Sequence, residues 1–129
     1  MGLFGRKPDY KEVSKIVGKM RELAEQNASK AIELHRFGNR EEAKEFFLDA
    51  IEKYIKASEI IKDLVKYLDD KEIVKSIAIL RIQLLSRAYK LIWYVSQDER
   101  VAKEKEMVSE ELNDAYASYA SLNGLYVGY

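Results

Sequence analysis

"HRFGNREEAKEFF", residues 35–47, separates two long stretches with helical periodicity in a chain of 129 residues that holds only six glycines and one proline. Punctuation this scarce marks real boundaries. Gly38 supplies a left-handed residue that ends a helix without a Cβ penalty. Asn39 then stands where a cap is needed, with Glu42 three residues on to complete a capping box. Ala43, with Ala31 upstream, is small enough for two helices to cross closely. The stretch reads as a helical hairpin, and the rest of the chain is parsed outward from it.

Upstream, apolar residues recur every three or four positions at Val13, Ile16, Val17, Met20, Leu23, Ala24, Ala28, Ala31 and Leu34, which predicts a helix over about residues 10–36. Asp9 and Glu12, after Pro8, form its start. Downstream, Ala43, Phe46, Phe47, Ala50, Tyr54, Ala57, Ile61, Leu64 and Leu68 predict a second helix over about 40–68. Asp69 with Glu72 opens a third, over 70–95, and Ser96 with Glu99, or Asp98 as the cap, opens a fourth, over 97–122. Residues 1–8 are expected to be a flexible lead and 123–129 a short C-terminal tail. No period-two pattern and no long linker intervenes. Three short connections make consecutive helices antiparallel. The expected fold is therefore a single all-α domain over 1–129, either a four-helix antiparallel up-down bundle or a short α-α superhelix.

Composition supports a packed domain, with 47% hydrophobic and 34% charged residues. No apolar run reaches the roughly 18–20 residues that span a bilayer. The opening MGLFGRKP lacks the apolar stretch of a secretory signal, and Arg6 stands where myristoylation needs Ser or Thr. The absence of cysteine excludes disulfides and thiolate chemistry. A cytoplasmic location and no membrane association are the resulting expectations. Abundant Lys, Glu, Ile and Tyr beside no Cys is a composition that suits a thermophile.

Net charge is zero, yet its sign alternates along the chain: +4 over 1–40, −4 over 41–72, +4 over 73–96 and −4 over 97–129. Antiparallel neighbours then face each other with opposite charge. Exposed pairs are worth only about 0–1 kcal/mol each, so the pattern selects topology more than it adds stability. A chain without a net basic face is not expected to bind nucleic acid.

Chemistry is sparse. The one histidine, His35, sits at the end of the first helix, where the C-terminal dipole favours it. Zinc needs three or four ligands together, and a di-iron bundle needs Glu-x-x-His, for which Ile32 occupies the Glu position. There is no Gly-rich phosphate loop, nucleophile elbow or Cys–His pair. No metal, no cofactor and no enzymatic activity are expected.

Two polar residues interrupt apolar seams. Arg81 lies inside the run Ile77, Leu84, Ala88, Leu91 and Val95, and Asn27 lies between Leu23 and Ala31. A buried guanidinium must be paired. Matching helix levels brings Glu111 to Arg81, with Glu104 at the apolar edge about two turns away. These four are expected to be a structural polar core, with an anionic ligand at Arg81 as the alternative. The second helix also carries a separate strip, Leu48, Ile51 and Ile55. Leu48 and Ile55 point about 140° from the main core direction. Such a strip needs cover from a terminal tail, from a second copy in a homodimer, or from a partner peptide. Four C-terminal tyrosines, Tyr116, Tyr119, Tyr126 and Tyr129, allow similar readings, and Tyr116 and Tyr119 share one helix face.

The hairpin "ASKAIELHRFGNREEAKEFFLDAIEKY", residues 28–54, resembles the first hairpin of MIT domains through Ala28, Ala31, Ile32, Gly38, Asn39, Glu41, Glu42, Ala43, Phe47, Ala50 and Tyr54. Tetratricopeptide hairpins share much of this pattern. "LLSRAYKLI", residues 84–92, is similar to the Arg-Ala-Glu-Lys-Leu segment of the third MIT helix, with Tyr89 in place of the Glu. The resemblance covers about residues 20–95 and leaves the fourth helix unmatched. It implies a non-catalytic module that binds a protein or peptide partner in an inter-helical groove, lined here by Tyr54, Leu84, Arg87, Ala88, Leu91 and Tyr94. MGLFGRKP in turn resembles the opening of membrane-remodelling ESCRT-III subunits, which implies, as the competing class, a membrane-associated structural subunit that uses its MGLF segment.

Overall fold

The computed structural model describes residues 8–122. The MGLF segment and the tail with Tyr126 and Tyr129 therefore lie outside the described residues. Four α-helices follow one another: α1 (Tyr10–Arg36), α2 (Arg40–Leu64), α3 (Lys71–Ile92) and α4 (Ala102–Leu122). Among the described residues there is no strand.

The helix ends show why the chain divides there. Asp9 caps α1, its carboxylate accepting from the Lys11 N–H. At the hairpin, Gly38 adopts φ 87°, where an L side chain is strained. The Gly38 N–H donates to the His35 carbonyl at 3.2 Å and the Asn39 N–H to the Leu34 carbonyl at 2.8 Å. This pair of bonds is the Schellman closure. Asn39 is a correction to the expected capping box, because its side chain makes no cap bond. Its backbone, at ψ 59°, is not extended as a side-chain cap requires, and the closure already uses its N–H. At α3 the cap is Asp70 rather than Asp69, accepting from the Glu72 and Ile73 N–H groups. Asp98 caps the turn before α4. The expected ends at 68 and 95 prove too late for α-helix. Val65–Tyr67 and Trp93–Val95 tighten into 3-10 turns, as does Glu99–Val101 ahead of α4.

Packing follows chain order: α1 on α2, α2 on α3, α3 on α4, with no comparable contact between α1 and α4. The α1–α2 seam is built from small residues seven apart, Ala24 and Ala31 against Ala43, Ala50 and Ala57, all fully buried. A seven-residue repeat keeps one stripe of each helix on the other, and alanine lets the backbones approach. Phe47, Tyr54, Leu64, Leu84, Leu85 and Ile92 fill the centre.

The long-range contacts stagger the helices in two layers. Tyr10, Ser14 and Val17 of α1 share a cleft with Ser76, Ile77 and Leu80 of α3, and His35 beyond mid-α1 meets Tyr94 after α3. These two helices run parallel. In the other layer Arg100 pairs with Glu45 at 3.2 Å and Lys62 with Glu111 at 3.0 Å, so α2 and α4 also run parallel. The alternating charge of the sequence thereby becomes a charge difference between layers. Helices α1 and α3 carry eleven Lys or Arg against five acids, and α2 and α4 carry seven against twelve.

Candidate functional site

The groove implied by the MIT resemblance is not open. Tyr54, Leu84, Ala88 and Leu91 are all buried in the core, because the α3 seam is taken up in packing between its chain neighbours. Burial pushes the Tyr54 phenol up from its ordinary value and Glu25 adds to the rise, while Arg87 and Arg21 act in the opposite sense. Of the expected lining only Arg87 and Tyr94 remain exposed. Tyr94 is itself engaged: its ring stacks on Phe47 at 4.6 Å, and His35 meets its edge at 5.2 Å. The aromatic trio closes that end of the core.

Arg81 lies where its seam position requires, with its side chain 7% exposed. It is paired with Glu111 and, at 3.0 Å, with Asp114. Lys62 reaches Glu111 from α2, so one network ties α2, α3 and α4 together. Sequence reasoning found Glu111 but missed Asp114, three residues on and therefore on the same face of α4. Two carboxylates already fill the guanidinium's surroundings, which makes this a poor place for an anionic ligand. Asn27 performs a similar task between α1 and α2, donating to Asp49, which Lys53 also holds at 2.6 Å.

The strip Leu48, Ile51 and Ile55 opens instead on a groove between α2 and α4 of about 540 Å³. Leu48 is half-buried, while Ile51 and Ile55 are buried in its floor. Val101 and Met107 of the α4 side complete that floor, and Glu45, Asp49, Glu52, Lys56, Glu59, Arg100 and Glu104 form the walls. A smaller cleft of about 230 Å³, shared with Ser58, Leu85 and Met107, continues it toward Glu111. The strip thus has partial cover from α4, which neither the tail nor dimer expectation included. Val101 and Met107 were not singled out from sequence, since α4 has too few apolar residues for its buried stripe to stand out. Helix α4 buries only Val108 and Ala115 within its own span.

At the upper end of the groove, Arg100 bonds to Asp98 and Glu45, and Lys44 approaches Asp98 at 3.6 Å. The Arg100 guanidinium and backbone N–H hold the Asp98 carboxyl well below the usual carboxylate range. Glu104 behaves differently: its Oε2 is buried and finds no hydrogen-bond partner among the described residues. It is the one buried side-chain oxygen among them left in that state.

Elsewhere, Ile79, Trp93 and Tyr116 are exposed, and the Lys105 ammonium sits 5.2 Å from the Trp93 ring. Among the described residues no group of His, Cys, Asp and Glu is arranged to hold a metal, and no helix is long and apolar enough to cross a membrane. Comparison with known proteins found no family model, no curated protein and no solved structure that matches the chain.

Proposed function

We propose that the chain is a non-catalytic protein-interaction module that receives a helix or peptide of a partner along the α2–α4 groove. The observation that carries this reading is the groove itself: an apolar floor of Leu48, Ile55 and Met107, rimmed by charge and open along its length. The likeness of residues 20–95 to MIT and tetratricopeptide hairpins supports the class of function, while moving the groove from α3 to the α2–α4 side. Cytoplasmic residence belongs to the same reading. The test uses Leu48→Gln, which keeps side-chain volume and alters a half-buried position. Affinity capture from a lysate of the source organism is run with wild-type and variant bait of equal melting temperature. A partner retained by wild type and lost by the variant supports the module. A partner set indifferent to Leu48→Gln sinks it, and self-capture alone would make Leu48, Ile51 and Ile55 a homodimer contact instead. The competing class, a membrane-associated subunit, rests on MGLF, and failure to sediment with acidic liposomes removes it.

A further inference from the structure

We infer that the segment received by the α2–α4 groove is a basic amphipathic helix, one of whose cationic side chains pairs with Glu104. The inference rests on the groove reading above and adds the chemistry of the partner. From Glu45 to Glu59 the wall follows α2 for about 21 Å, which matches about four turns of a docked helix. An apolar floor between charged walls suits a helix with one apolar stripe and flanking charges.

The sign of those charges is set by the walls. Five carboxylates and two cations line the groove. Arg100 is committed to Asp98 and Glu45, and Asp49 to Lys53, which leaves Glu52, Glu59 and Glu104 against Lys56. Glu52 and Glu59 are exposed and have no ion-pair partner among the described residues. The outer shelf of α4 adds Glu106 and Glu110 against Lys103. Glu104 supplies the anchor. A buried carboxylate oxygen without a donor is costly to leave so, and an ammonium or guanidinium arriving from the groove would satisfy it. Complementary charge of this kind raises both the association rate and the discrimination against acidic competitors.

Fluorescence anisotropy tests this with two labelled synthetic helices of the same length and Leu stripe, one with Lys at all polar positions and one with Glu. The intact protein is compared with Glu104→Gln, with Glu52→Gln/Glu59→Gln and with Leu48→Gln, each verified by its helical circular dichroism. The expected result is binding of the Lys helix alone, about tenfold weaker in Glu104→Gln, weaker again at raised salt, and reduced in the Leu48 variant. Equal binding of both helices, lost in Leu48→Gln, overturns the basic partner and leaves the groove reading standing. Binding of the Lys helix that ignores Glu104, Glu52 and Glu59 is general attraction to the acidic layer and also overturns the inference. If neither helix binds, the inference falls, and the groove reading falls with it only where capture from lysate is equally indifferent to Leu48.

Discussion

Arg81 and its two carboxylates are unequal partners. The guanidinium is 7% exposed, whereas the Glu111 and Asp114 side chains are 34% and 56% exposed. Losing the arginine lets both acids turn to water, but losing the acids strands a charge in the core. Glu111→Gln/Asp114→Asn is therefore expected to cost about 3 kcal/mol, and Arg81→Met distinctly less. Urea denaturation of the two variants checks the order, and the reverse order would contradict the buried-pair account. Two glycines give an equally sharp contrast. Beyond the neighbouring residues and, for Gly18, its own helix backbone, neither Gly18 nor Gly38 has a heavy atom within 4 Å of the place a Cβ would take, so backbone conformation decides. Gly38→Ala should destabilise by about 1–2 kcal/mol, since φ is 87°. Gly18→Ala, inside α1, should stabilise by about 0.5–1 kcal/mol. Thermal midpoints moving in the same direction would contradict this. At this scale Glu111 was legible because helix levels can be counted from sequence, whereas Asp114 at the exposed rim broke no apolar pattern that would flag it.

Among the elements, the α3–α4 connection is held by charge. Asp98 caps the turn that opens α4 and binds Arg100, so its folded carboxyl titrates below the ordinary value of about 3.9. That stabilisation is complete above the unfolded value and fades as pH falls through it toward the folded one. The stability gap between wild type and Asp98→Asn, read from urea midpoints, should stay constant from neutral pH down to about pH 5 and narrow below about pH 4. A gap that widened on acidification would contradict the assignment. The four helices were legible because heptad-spaced alanines and rare glycines leave little ambiguity. Their last turns were not, because a helix end readily tightens to 3-10 geometry, as at Val65–Tyr67 and Trp93–Val95, and apolar periodicity does not separate that turn from α. The capping box at Asn39 fails for a local reason: its ψ of 59° is not the extended geometry a side-chain cap needs, and the backbone closure takes the N–H that Glu42 would have accepted.

For the molecule as a whole, stability should decrease toward α4. Helix α1 contributes Val13, Val17, Ala24, Ala31 and Leu34 to the core, while α4 contributes Val108 and Ala115 from within its span. Amide hydrogen exchange should show the lowest helical protection in α4, with α1 and α2 opening only with the whole domain. Equal protection across the four helices would mean that Arg81, Glu111 and Asp114 couple α4 more strongly than its apolar burial does. The groove was half legible for the same cause. Leu48, Ile51 and Ile55 announced an apolar strip from their spacing on α2, but nothing in the thinly apolar α4 said that it would supply the opposite wall.

The chain-order packing of the helices also bears on how such a fold can grow. A ring of four helices closes on itself and has no place for a fifth. Here α1 and α4 stand at opposite ends of a row, and the α3–α4 end still shows Ile79, Trp93 and Tyr116 to solvent. Duplicating a hairpin would lengthen the row and repeat its grooves while leaving the Ala24–Ala57 seam and the Arg81 network untouched. The number of helices is thus a setting that evolution can change one hairpin at a time, and each added hairpin would carry its own groove between parallel helices.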